Sequence, residues 1–234
     1  GAGAHYAIAL RTLDGRSAPV RLGDGLGSSV SPDGKWAVAS LGSHLELLPL
    51  GAGTARELPA FGLEDFSAAN FLPDGKRLLL VAHAPGKGPR CYLLDLAGGT
   101  LQPVSPEGET FQYFNHPIAP DGDHFAVHGS DGGYQIISLR TGSAQPVQGM
   151  QPQESLVRWI SDQAILVFRP SSSSGDVYRV NPFTGARQLW RTLTPPDPTG
   201  VVGWGPVQFS PDGRVTVFSA GRALSELFMA DGLR

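Results

Sequence analysis

Four aspartates recur in one local setting, Asp33, Asp74, Asp121 and Asp212, each preceded by Pro and followed by Gly. Repeated carboxylates can ligate a divalent cation, and that is the first chemistry to weigh. The setting gives them another role. Pro32, Pro73, Pro120 and Pro211 preset φ for a turn, and the aspartate accepts a local backbone N–H. Gly34, Gly75, Gly122 and Gly213 take the left-handed backbone that closes the loop. These twelve residues are read as structural turns, and the sequence assigns no metal or other cofactor to them.

The histidines are His5, His44, His83, His116, His124 and His128. His124 and His128 share a strand face, but four residues of strand separate them by roughly 13 Å, too far to chelate one ion. They are read as surface or interblade residues. His44 and His83 occupy equivalent loops after the second strand of successive repeats, so they are candidates for lining one rim. Lys87, Arg90 and Asp131 lie in the longer loops and join them as candidate binding residues. Trp36, Trp159 and Trp190 fall in strands and are expected to pack. Trp204, flanked by Gly203 and Gly205 beside a long loop, is the tryptophan expected to serve the surface. No Gly-x-Ser-x-Gly pentapeptide occurs, the nearest stretch being Gly27-Ser28-Ser29-Val30-Ser31, and no glycine-rich loop opens a helix. No catalytic set is assigned, and catalysis is expected to lie outside this chain.

The elements that position these residues follow from the repeat. Ser31-Pro32-Asp33-Gly34-Lys35-Trp36 is echoed by Leu72-Pro73-Asp74-Gly75-Lys76, Ala119-Pro120-Asp121-Gly122-Asp123 and Ser210-Pro211-Asp212-Gly213-Arg214. A worn copy stands at Ile160-Ser161-Asp162-Gln163. The aspartates at 33, 74, 121, 162 and 212 are 41, 47, 41 and 50 residues apart. Periods near about 45 residues, with several strands each and no helical period, predict the blades of a β-propeller. A second hairpin runs in phase with the first, as in Leu47-Leu48-Pro49-Leu50-Gly51 into Arg56-Glu57-Leu58. Alternating hairpins make four-stranded antiparallel blades, about five in this chain. Pro103 and Pro146 in last strands suit an edge, where no ladder donor is lost.

The single domain, residues 1–234, divides into blades at about 26–60, 61–105, 106–148, 149–193 and 201–230. Residues 1–25 form an outer hairpin, and Leu224–Ala230 a further strand. The ring either closes on itself with five blades or belongs to a six- or seven-bladed parent of which this is the C-terminal part. A start at Gly1 without Met or a signal peptide points to the second. The longer loops, 83–90, 129–133, 170–176 and 193–200, collect on the rim opposite the Pro-Asp-Gly turns. Binding is expected there and in the central channel, where loops of a rigid scaffold converge.

Composition sets the limits. Thirty-one Gly and 20 Pro with 17% charged residues suit a turn-rich β protein. A net charge of −3 with no basic face argues against nucleic acid. No apolar run reaches the roughly 18 residues that a spanning helix needs, so this segment inserts in no membrane as a helix. The lone Cys91 excludes an internal disulfide and is expected to be a buried structural thiol.

With five units in phase, the chain resembles the WD40-like (PD40, TolB-type) β-propellers, whose mark is the Ser-Pro-Asp-Gly-Lys/Arg stretch. Leu10-Arg11-Thr12-Leu13-Asp14-Gly15, Ala18-Pro19-Val20-Arg21-Leu22-Gly23 and Ser31–Trp36 are further similar to C-terminal propellers of bacterial eukaryotic-like serine/threonine kinases. That resemblance implies a covalently linked kinase domain, an extracytoplasmic location and a sensing or protein-binding role. The chain itself has neither His-Arg-Asp nor Asp-Phe-Gly. Similar propellers also gate prolyl-oligopeptidase-like serine peptidases or form TolB-like periplasmic scaffolds, and these are the alternative readings. The lost turn at Ser161-Asp162-Gln163 departs from the pattern and blurs the edge of the fourth blade.

Overall fold

The computed structural model describes residues 6–12, 14, 16–112, 114–129 and 131–223, and they form a β-propeller without helices. The chain opens with a two-stranded sheet, β1 (Ala7–Leu10) and β2 (Val20–Asp24). Blade one is β3 (Leu26–Val30), β4 (Trp36–Ser40), β5 (Leu45–Pro49) and β6 (Arg56–Leu58). Blade two is β7 (Glu64–Phe71), β8 (Arg77–His83), β9 (Pro89–Asp95) and β10 (Leu101–Pro103). Blade three contributes β11 (His124–His128), β12 (Tyr134–Ser138) and β13 (Ala144–Pro146). Blade four is β14 (Ser155–Ser161), β15 (Ala164–Pro170), β16 (Gly175–Val180) and β17 (Arg187–Leu193). A last inner hairpin is β18 (Val201–Phe209) and β19 (Thr216–Arg222). Every pairing within these sheets is antiparallel and sequential. The expected strand Leu224–Ala230 lies outside the described residues.

The repeated turns form as their residues dictate. Gly34, Gly75, Gly122 and Gly213 have φ of 69°, 66°, 68° and 69°, and the N–H of each bonds back three residues, as from Gly34 to Ser31 O at 2.9 Å. Asp33 Oδ1 accepts the Lys35 N–H at 3.1 Å and the Ser31 hydroxyl at 2.6 Å, and Asp212 repeats the pattern with Arg214 and Ser210. Asp74 takes the Lys76 N–H and the Arg77 guanidinium, while Asp121 takes the Asp123 N–H and His124 Nδ1. At the worn repeat the ladder runs to Ser161 opposite Ala164, so Asp162-Gln163 makes a two-residue turn and blade four keeps all four strands.

One expectation needs correcting. Blade three was to have a full inner strand, but Ile118 meets Phe125 only as an isolated bridge. Pro117 has no N–H to give the ladder, although its carbonyl still accepts from Ala126 at 2.8 Å. Just before it the chain turns to the next blade. The His116 N–H donates to Val157 O at 3.0 Å, and the Trp159 N–H donates to His116 O at 3.3 Å.

Period-two alternation buries both faces of each blade. On β8, Leu78, Leu80 and Ala82 pack toward blade one with Val38, Leu45 and Leu47. The intervening Leu79 and Val81 pack toward blade three with Phe125, Val127 and Ile137. Equivalent seams join blade three to four and four to the last hairpin, and Ile8 and Leu22 seal β1–β2 against Ala37, Ala39 and Leu48. At the innermost edge, Ser29 Oγ donates to Ala69 O at 3.3 Å and accepts from the Phe71 N–H at 3.0 Å, which stitches blade one to blade two.

Candidate functional site

The meander puts the Pro-Asp-Gly turns at one end of the blades. The connections between second and third strands, and those between blades, lie at the other. A cavity of about 700 Å³ opens at this second end between blades three and four and the last hairpin. Its floor and walls are Phe114, Phe168, Trp204 and Val207. Polar groups come from Gln112, Asn115, Gln153, Ser155, Ser171 and Ser172. No described lining residue is charged. The mixture is that of a recognition pocket, in which apolar area gives affinity and a few amides and hydroxyls give orientation.

Trp204 is held by three contacts. Its Nε1–H donates to Ser171 O at 2.9 Å, and its ring meets Phe168 edge-on with centroids 5.4 Å apart and tilts over Phe218 at 5.4 Å. The backbone that presents it is irregular for a stated reason. Pro206 cannot donate to the ladder, and the β18–β19 register slips between Trp204 and Val207. Gly205 permits the slip, because a Cβ there would stand 2.0 Å from Ser219 Oγ. On the facing wall, Gln153 holds φ of 66°, left-handed backbone that a residue with a Cβ seldom adopts.

Beneath this cavity a polar layer crosses the axis. His116 Nε2 lies 3.1 Å from Gln208 Oε1, while the Gln208 amide donates to Phe114 O. Since the amide nitrogen is the donor there, Oε1 must accept, which fixes His116 as the Nε2–H tautomer. Burial, and then the Arg158 charge, push the His116 pKa from 6.5 down to about 4, against the bond to Gln208, so the ring is neutral at pH 7. Arg158 donates to the carbonyls of Phe209 and Trp159. Burial alone lowers its pKa. On the far side of this layer a second cavity of about 490 Å³ opens toward the Pro-Asp-Gly end.

Of the residues singled out by sequence, Trp204 lines the upper cavity and the other five do not. His44 pairs through Nδ1 with Ser43 Oγ at 3.0 Å, and His83 ends β8 opposite Glu64. Lys87 stands exposed, 4.0 Å from Glu107. Arg90 grips Ser105 O with Nε at 2.9 Å and with Nη2, fastening the chain after β10, and Asp131 accepts the Gly133 N–H at 2.9 Å. These five sit on the expected end of the blades but converge on no common cavity. His124 sits edge-on to Phe183 of blade four and His128 against Tyr134. His5 lies outside the described residues. Cys91 is fully buried, its thiol pushed up to about 12 by burial. Among the described residues no three His, Cys, Asp or Glu side chains gather where they could hold a metal ion.

Gln112, Phe114, Asn115, His116, Arg158 and Gln208 were not marked as site residues by the sequence reading. A signal for the polar layer was present. Each inner segment carries a polar residue three or four places before the turn proline or its equivalent: Ser28 and Ser29, Asn70, His116, Arg158 and Gln208.

Comparison with solved structures agrees with this fold. A putative TolB from Agrobacterium tumefaciens superposes with a TM-score of 0.68 at 17% identity, over 94% of this chain and 79% of that one. The fold is a TolB-like β-propeller. TolB from Acinetobacter baumannii gives a TM-score of 0.65 at 23% identity, with 90% of this chain covering 53% of that protein. An oligogalacturonate lyase in complex with manganese gives 0.61 at 17% identity, over 91% of this chain and 64% of the lyase. No protein-family model and no curated protein matches the sequence.

Proposed function

We propose that this propeller is a non-catalytic recognition module that takes an uncharged, partly apolar segment of a protein or small ligand into the upper cavity. One observation carries the reading. Three aromatic rings and six amide or hydroxyl side chains converge there, and no described lining residue could serve as acid, base or charged nucleophile. The scaffold itself does not decide function, since propellers of this shape occur in TolB proteins and in a lyase.

The wider setting belongs to the same proposal. The module is the extracytoplasmic part of a bacterial signalling protein, joined to a kinase domain outside this chain, as the similarity around Leu10–Trp36 suggests. The complete coding sequence tests this. An upstream kinase domain and membrane helix agree with it. A downstream Gly-x-Ser-x-Gly makes the propeller a peptidase gate, and a secretion signal with a small α/β domain makes it a TolB-like scaffold.

Peptide display against the purified chain tests the binding site. Selected peptides are expected to lose at least about tenfold in affinity to Trp204→Ala, since buried aromatic anchors carry most of an interface's energy. Equal binding to wild type and to both Trp204→Ala and Val202→Asp would place recognition elsewhere.

A further inference from the structure

The lower cavity is a different chemical environment from the upper one. Most of its wall is apolar, with Leu10, Phe71 and Phe209 facing a space of about 490 Å³. Two of its polar residues are incompletely satisfied. Arg158 is half-buried and forms no ion pair among the described residues; Nε and Nη1 donate to backbone carbonyls, and Nη2 donates to no described group. Asn70 is 3% exposed, and its Nδ2 is sealed without a hydrogen-bond partner. No described acidic side chain lines the cavity, and His116, its remaining titratable group, is neutral at pH 7.

A guanidinium partly removed from water without a counter-ion loses solvation that nothing replaces. A half-buried guanidinium with a free N–H in an apolar-walled cavity is matched by an anion. We infer that the lower cavity is a second ligand site, which takes a small organic carboxylate with its charge on Arg158 Nη2 and its apolar body against Phe71 and Phe209. The carboxylate supplies acceptors for the Arg158 guanidinium, and the apolar wall favours an alkyl or aryl acid over inorganic phosphate. The volume suits a ligand of metabolite size. The polar layer of His116 and Gln208 separates this site from the upper cavity, so the two fill independently.

Calorimetric titration of the intact chain tests the site, with hexanoate as probe and hexanamide as the uncharged control. Hexanoate is expected to saturate one site and to bind at least about tenfold tighter than hexanamide, the value of one charge-assisted hydrogen bond. Arg158→Met should remove this preference. Because Arg158 also holds Phe209 O, Leu10→Asp is the second variant: Leu10 is 42% exposed on the cavity wall, so the fold should tolerate the change, and a carboxylate there should weaken hexanoate by about tenfold. An apolar tripeptide with a free or an amidated C-terminus identifies the source. Binding by the free acid, the free C-terminus or both supports the site and names its ligand. Failure of both to bind overturns it, as does equal affinity for hexanoate and hexanamide, or hexanoate binding that neither substitution alters. None of these results bears on the Trp204 cavity.

Discussion

His116 and Gln208, 92 positions apart in sequence, meet side chain to side chain at 3.1 Å across the propeller axis. The bond ties the inner segment of blade three to the last inner strand, passing over blade four. Burial of the His116 ring, and then the Arg158 charge beside it, make the fold sensitive to acid. The His116 pKa falls from 6.5 unfolded to about 4 in the fold, so the unfolded chain binds the extra proton first. Stability is full above the unfolded value and is lost as pH drops from about 6.5 toward 4. The loss amounts to about 2–3 kcal/mol for a shift of this size in a part-buried ring. Denaturant titrations at several pH values should show that slope, and His116→Gln should flatten it.

Glu154 is a second buried charge, here fully paired. Arg187 grips both of its oxygens, at 2.6 and 3.1 Å, and the Gln151 N–H donates to it at 2.8 Å. The same guanidinium lies 4.1 Å from the Tyr178 ring centre and bonds Gly149 O. Removing one partner leaves the other charge stranded. Glu154→Ala should therefore cost about 3–5 kcal/mol, while replacing both Glu154 and Arg187 by apolar residues should cost much less. A double-mutant cycle by chemical denaturation reads the difference.

The repeated turns make an acid-side contribution of opposite origin. The Ser31 hydroxyl, then the Lys35 N–H, hold the Asp33 carboxyl below the usual carboxylate range, and Ser210 and Arg214 do the same for Asp212. A depressed folded pKa stabilises the fold above the unfolded value, and that contribution disappears as pH falls through the folded one. Ser31→Ala with Ser210→Ala should raise both carboxyl midpoints in an NMR titration. Unchanged midpoints would remove the hydroxyls from the account.

Cys91 should ignore thiol reagents in the native state. Its side chain is fully buried between blades two and three, and its Sγ–H donates to Glu109 O at 3.5 Å. Labelling by a disulfide reagent should appear only with global unfolding, at the rate set by denaturant.

Much of the architecture was legible because the Pro-Asp-Gly turn is chemically specific and recurs in phase. Each copy marks the same end of a blade, and runs such as Leu78–Ala82 announce sheets buried on both faces. The interruption in blade three was less visible. Pro117 precedes Ile118 and Ala119 in the usual place before the turn, and only the neighbouring ladder shows that His116 has crossed to Val157. The site residues were harder still, because a loop residue such as Arg90 looks free in sequence and spends its donors on Ser105 O once folded. Gln208 and Arg158 acquire their partners from other blades, which no local pattern encodes. Trp204 was readable because Gly203 and Gly205 marked an irregular strand around a large ring.

Recognition at the upper cavity is most directly tested by hydrogen–deuterium exchange on the chain with and without a peptide selected against it. Protection should gather at residues 114–115, 153–157, 168–172 and 201–207, where three blades meet around Trp204. Protection confined to the opposite turns around Pro32, Pro73, Pro120 and Pro211, with those segments unchanged, would contradict it.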